Sequence, residues 1–398
     1  MNTFELNPAR RRFLQAGVAA AAVAANGRLF GAPRYDLLIR GGRVIDASQK
    51  LDKIIDVAIS GGKIAELKAG IPAADAAKVI DATGRIVSPG LIDVHTHLID
   101  PGMSAAMALS DGVTTVVDGG SVGADNIDNL KKLIANPPNR VRVLLNIGRT
   151  GNSADGEMKD IKSADPVACQ RVIEANRDLI TGVKVRVGKD ISGGNDLEAI
   201  KRAVQAASAV KLPVVVHVGD SISTMPQMLA LLRPGDVVTH MYAPTPNGIF
   251  DANNKILPEV RDARKKGIQF DIGHGRLMHI TWETAQRAIE QDFLPDTIST
   301  DLNQITRKQQ VFSLPITLGK FLLLGMSLNQ VLTCVTLNAG KSLPALSGLG
   351  TLKKGAIADV TVLQVQQGDF DFVDNLQVKK TGHQNLIATA TVVAGKQV

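Results

Sequence analysis

Leu91-Ile92-Asp93-Val94-His95-Thr96-His97 reads as a strand that starts apolar and ends in two imidazoles. Residues i and i+2 of a strand project to the same side, so His95 and His97 converge on one point, as metal ligands must. Seven more segments of the same kind follow: Val113–Asp118, Val141–Ile147, Gly182–Val187, Pro213–Val218, Val237–Met241, Ile268–Gly273 and Thr297–Asp301. Helix-period stretches separate most of them, notably Asp165–Ile180, Leu197–Ala209, Lys255–Lys266 and Thr281–Gln291. Eight strands alternating with helices over about 260 residues have the size and rhythm of a (β/α)8 TIM barrel. An open doubly wound sheet fits less well, because no glycine-rich phosphate loop follows the first strand.

Outside this middle region the pattern changes. Tyr35–Arg40, Gly41–Ile45, Ile54–Ile59, Gly61–Ala65 and Lys78–Ile80 alternate with period two and are separated by glycine turns. Gly350–Gly355, Ala358–Leu363 and Ala388–Val393 repeat that pattern at the far end. The spacing predicts a small β-sandwich assembled from both termini, residues 34–87 and 348–398, around a barrel at 88–347.

The first 32 residues belong to neither unit. Arg10-Arg11-Arg12-Phe13-Leu14 precedes the apolar run Ala16–Ala25, an arrangement that resembles a twin-arginine signal peptide. The run is too short to span a bilayer. Export to the periplasm, cleavage near residues 24–32 and no stable membrane anchor afterwards are the expectations. Loss of residues 1–32 lowers the formal charge from +7 to +4, which leaves the basic balance unremarkable and gives no support to a nucleic-acid partner.

Composition narrows the chemistry further. Across 398 residues, aromatics are 3%, too few for a base-stacking single-strand binder. Two cysteines, Cys169 and Cys334, cannot form a thiolate cage, so a metal here requires nitrogen and oxygen ligands. Those ligands stand at the strand ends: His95 and His97 on the first, His217 on the fifth, His240 on the sixth, His274 just past the seventh and Asp301 on the eighth. The ends of barrel strands are where active sites form. Any one such histidine taken alone reads better as a hydrogen-bonded core residue. Together, unpaired polar groups would cost several kcal/mol each, and a shared metal centre compensates them. On the fourth strand, Lys184 and Arg186 project into the barrel, opposite the valines that alternate with them. An ammonium beside a cationic centre must change its charge or find a carboxylate.

With Pro89-Gly90 ahead of the first strand, the Lys184 strand, His217, His240 and Asp301, the sequence resembles the amidohydrolase superfamily from about Tyr35 to the C-terminus. Asp81-Ala82-Thr83-Gly84, Thr336-Leu337-Asn338-Ala339 and Gly350–Asp359 carry the likeness into the flanks. The resemblance implies two divalent metal ions. His95, His97 and Asp301 would hold one and His217 and His240 the other. A carboxylated Lys184 and a hydroxide would bridge them. Zinc is the default for imidazole and carboxylate, with manganese or cobalt also compatible.

The resemblance further implies hydrolysis of an amide or ester, with Asp301 moving the proton and His274 and Arg186 holding a small acylated substrate. Ile99 stands where dihydroorotases carry the arginine of His-x-His-x-Arg. Gly182–Arg186 and Asp271–Gly275 look more like deacetylases of N-acetyl-D-amino acids or acetylated hydroxy acids. A cyclic-amide hydrolase of the dihydroorotase or hydantoinase kind, and a D-aminoacylase, are the competing enzymatic readings. A non-catalytic scaffold would lack ligands, whereas all six positions are filled. A homo-oligomer is compatible with all of these.

Overall fold

The computed structural model describes residues 33–100, 103–276 and 278–398; the expected export segment at 1–32 lies outside them. Seven strands come first: β1 (Tyr35–Arg40), β2 (Arg43–Asp46), β3 (Leu51–Ile54), β4 (Asp56–Ser60), β5 (Lys63–Lys68), β6 (Ala76–Asp81) and β7 (Ile86–Pro89). The central strands are β8 (Leu91–Thr96), β9 (Val113–Asp118), β10 (Arg140–Asn146), β11 (Ile180–Val187), β12 (Val214–Val218), β13 (Val237–Thr239) and β14 (Gln269–Phe270). A long hairpin, β15 (Val360–Val373) and β16 (Lys379–Val393), precedes the short β17 (Lys396–Gln397).

Two sheets form the sandwich, one ordered β5-β4-β1-β6 and the other β17-β16-β15-β7-β2-β3. The second sheet joins the two ends of the chain, because β15 pairs antiparallel with β7, Val360 opposite Pro89. Gly61 and Gly62, both at positive φ, make the two-residue turn between β4 and β5, a conformation costly for any residue with a Cβ. Leu37, Ile39, Val57, Val87, Val360 and Val362 fill the space between the sheets.

The barrel sheet runs β14-β13-β12-β11-β10-β9-β8, with all neighbours parallel. Helices α1 (Ile127–Leu133), α2 (Pro166–Ala175), α3 (Lys189–Ser192), α4 (Asp196–Val210), α5 (Met225–Leu229), α6 (Pro258–Lys265), α7 (Trp282–Ile289) and α8 (Leu314–Leu323) follow the strands in turn. On α4, Ala199, Ile200, Ala203, Ala207 and Val210 recur at helical spacing and are buried, and this face packs on β11. Inside the sheet, Ile92, Val117, Leu144, Val215 and Val237 form a separate apolar plug below the site.

The eighth expected strand is not a regular one. Thr297–Asp301 closes the ring through two isolated parallel bridges, Asp271 with Thr297 and Thr96 with Leu302. Its side chains explain the irregularity. Thr300 bonds to Asp93 and Ser299 to Asp271, and Asp301 adopts a left-handed φ of 50° that no strand can continue. The sixth strand likewise stops at Thr239, because His240 sits at φ 63°.

The terminal hairpin is much longer than the expected segments. Beyond the sandwich it runs along α8, where Gly319 and Gly382 leave room for the Phe372 ring; a Cβ at either would come within 2.9 Å of it. The turn at 374–378 therefore ends against the barrel, close to the loop after β14.

Candidate metal centre

Parallel β-strands bring their C-terminal ends to one face, and there the chain gathers His95, His97, Lys184, His217, His240 and Asp301. His95 is buried beside Lys184, with Nε2 3.0 Å from Lys184 Nζ. Gly119 and Gly120, just past β9, make that proximity sterically feasible. A Cβ on Gly119 would lie 2.1 Å from the His95 ring, and one on Gly120 would lie 2.5 Å from Lys184.

Two clusters of potential ligands result. His95, His97 and Asp301 offer ligand atoms all within 4.8 Å of one another, and so do His217, His240 and His279. His97 Nε2 is 2.9 Å from Asp301 Oδ1, while its Nδ1 lies 2.7 Å from Ser121 Oγ, which donates to Asp118. In the second cluster, His240 Nδ1 is 2.7 Å from the Gly273 carbonyl, so that nitrogen donates. Its Nε2 is buried without a partner, a lone pair aimed at nothing in the protein. The His279 ring stacks on His240 at 3.7 Å, and His217 meets His240 edge-on at 4.3 Å.

The electrostatics suit a divalent cation. Burial pushes His217 and His240 well below the ordinary imidazole range, leaving them neutral with lone pairs free. Burial alone would raise Asp301, but His95, His279 and His97 hold it well below the usual carboxylate range. Packed imidazoles around an ionised carboxylate, with a buried nitrogen unpartnered, are a donor set that a zinc-like ion satisfies. Beneath the rings, Asp271 accepts from Thr239, Thr297 and Ser299 at 2.6–2.7 Å, and Thr239 in turn lies 3.2 Å from His95 Nδ1. This network fixes the orientation of the His95 ring.

Lys184 is fully buried, and among the described residues no carboxylate comes within ion-pairing distance of it. Burial lowers its ammonium to about 8. The carboxylate partner considered from sequence is therefore not found. Arg186 does have one: it pairs with the buried Glu157 at 3.3 Å while still lining the cavity.

That cavity has a volume of about 360 Å³ and is lined by His95, His97 and Asp301 of one cluster and His217 and His279 of the other, together with Lys184, Arg186, Arg276, Asn152 and Asn303. His274, expected to hold substrate, is not among its walls. Its Nε2 accepts from Lys320 at 2.8 Å, and its Nδ1 lies 3.3 Å from the Gly275 carbonyl. Strand alternation, carried past Phe270 where β14 ends, misplaces it; Gly273 and Gly275, at φ 49° and 48°, reverse the backbone on either side.

His279 and Arg276 take their places in the lining without having been singled out by the sequence. One signal was present. Both lie between the seventh strand and the helix capped by Thr281, and such loops lie at the active face of a barrel.

The model of the Amidohydrolase family matches residues 86–398. A deacetylase of Enterococcus faecalis is 28% identical over 370 residues, covering 91% of this chain and 98% of that protein. A deacetylase of Agrobacterium fabrum is 31% identical over 330 residues, covering 80% and 81%. A solved structure described as an adenine deaminase superposes with a TM-score of 0.84 at 28% identity, covering 92% of this chain and 99% of that one. With the barrel, its ligand set and the family match in agreement, the chain belongs to the amidohydrolase family and is a metal-dependent hydrolase.

Proposed function

We propose that the protein is a binuclear zinc deacetylase of N-acetyl-D-amino acids or acetylated hydroxy acids. The observation that carries this reading is the pair of three-ligand clusters at one cavity that Lys184 also lines. The two deacetylase relatives favour acetyl transfer to water over ring opening, and Ile99 removes the arginine expected of a dihydroorotase.

His95, His97 and Asp301 would hold one ion and His217, His240 and His279 the other. Lys184, whose ammonium burial disfavours, would add carbon dioxide through Nζ in its neutral form and release a proton. The product is an anionic carbamate placed between the clusters. Two divalent ions would supply Lewis acidity, polarising the acyl carbonyl and making water a nucleophile at neutral pH.

The chain's own residues then handle the proton and the substrate. Asp301 is ionised and lies within reach of His97 and His279, so it accepts a proton from the attacking water and returns it to the departing amine or alkoxide. Arg276 lines the cavity without an acidic partner among the described residues, and its guanidinium suits a substrate carboxylate.

Steady-state rates on N-acetyl-D- and L-amino acids, acetylated hydroxy acids, dihydroorotate, hydantoins and adenine test the assignment. Release of acetate from the first two classes is the expected result; ring opening or deamination without acetate release would overturn it.

Export through the twin-arginine route remains part of the proposal, resting on Arg10-Arg11 and the alanine-rich run. Among the described residues no helix is long and apolar enough to cross a membrane.

A further inference from the structure

A single amide in the terminal hairpin bridges both ends of the loop that carries His279. Asn375 Oδ1 accepts from the backbone N–H of His279 at 3.0 Å and of Ile280 at 2.9 Å. Its Nδ2 donates to the Gly275 carbonyl at 3.0 Å. Only this orientation of the amide works, because the flipped one would set NH2 against two N–H donors and oxygen against a carbonyl.

Neighbouring bonds hold Asn375 itself in place. Asp374 accepts from Trp282 N at 3.0 Å, Trp282 Nε1 donates to the Val378 carbonyl at 2.7 Å, and Lys320 donates to the Val373 carbonyl at 2.8 Å. Lys320 also bonds to His274 and to the Gln310 carbonyl, so the turn is tied to α8 and to the loop at once.

The loop has little freedom on its other side. A Cβ on Gly275 would stand 2.2 Å from Asp301 Oδ2 and 2.4 Å from His279 Nδ1. The Gly275 backbone thus packs directly against the Asp301 carboxylate and the His279 ring.

We infer that Asn375 is a positioning residue for the second metal site, acting through His279 from a segment that otherwise belongs to the sandwich sheet. The inference rests on the binuclear reading above. Partners of this kind, one shell outside the ligands, typically change metal affinity by about 10- to 100-fold when removed.

The test uses full-length protein, stripped of metal and titrated with Zn2+ against a chelator of known affinity, as wild type, N375D and N375L. Aspartate keeps the acceptor and loses the donor; leucine keeps the volume and loses both. The first equivalent should bind as in wild type. The second should weaken about tenfold in N375D and about a hundredfold in N375L, and excess Zn2+ should restore kcat with KM unchanged. Melting curves of the zinc-free forms check that the fold survives. Should N375L fail to fold, N375D alone decides.

Two equal, wild-type affinities in both variants would overturn the inference. So would a parallel loss of both equivalents. Wild-type protein that takes up a single zinc would instead refute the binuclear reading itself.

Discussion

Lys184 Nζ lies 3.0 Å from His95 Nε2, and both groups are buried. Neither is charged comfortably: burial lowers the lysine to about 8 and the histidine to about 4. A buried amine that is not an ion-pair partner is free to become something else. Substituting K184A removes the atom on which a carbamate forms, and kcat/KM should fall at least about a thousandfold, a loss of about 4 kcal/mol in transition-state stabilisation. In the metal-free proteins, where the amine is uncarboxylated, the substitution sets relief of a buried amine against the cavity it leaves, so K184A should still unfold cooperatively. Steady-state kinetics and a melting curve on one preparation check both halves, and near-normal turnover by K184A would remove the carbamate from the account.

Arg186 and Arg276 share the cavity but differ in partners. Glu157 holds Arg186, so E157Q should destabilise the fold by about 3 kcal/mol, the order expected when one member of a buried pair is lost. Denaturant unfolding measures it, and an unchanged midpoint would show that the pair contributes nothing.

Arg276, with no acid beside it among the described residues, should reveal itself in substrate selectivity. R276Q should raise KM for carboxylate-bearing acetyl substrates about tenfold or more, as loss of a charged hydrogen bond implies, and leave the matching neutral amides unaffected. Equal effects on both would assign the carboxylate elsewhere.

Lys320 makes the stability of the fold depend on pH. Its ammonium is lowered by burial from an ordinary 10.5 to about 7. Between those values the unfolded chain binds the proton that the folded chain releases, so stability rises with pH from about 7 to 10.5. The Lys320 contribution approaches roughly 1.4 kcal/mol per pH unit, and its penalty is fully present below pH 7. K320M should lack that slope. Urea unfolding of the two proteins at pH 7, 8, 9 and 10 tests the difference, and parallel curves would contradict it.

The barrel was legible because its strands are continuous apolar runs ending in polar residues, and that pattern follows from a sheet buried on both faces. The strand-borne ligands lie together for the same reason: β8, β11 and β12 position His95, Lys184 and His217 by simple strand geometry, while His97, His240 and Asp301 follow just past the strand ends. Legibility ended where the backbone leaves the strand. Strand alternation fails at His274 because two left-handed glycines flank it, and at His279 because no periodicity governs a loop. Asn375 was beyond reach altogether, since it lies 96 residues from His279 and only the hairpin's length brings the two together.

Metal content set against turnover tests the central claim most directly. Protein stripped by a chelator should be inactive and folded. Stepwise return of Zn2+ in bicarbonate buffer should restore acetyl hydrolysis in full only as the second equivalent binds, with elemental analysis reading two zinc per chain. Full activity at one zinc per chain, or in the stripped protein, would contradict the two-cluster centre built around Lys184.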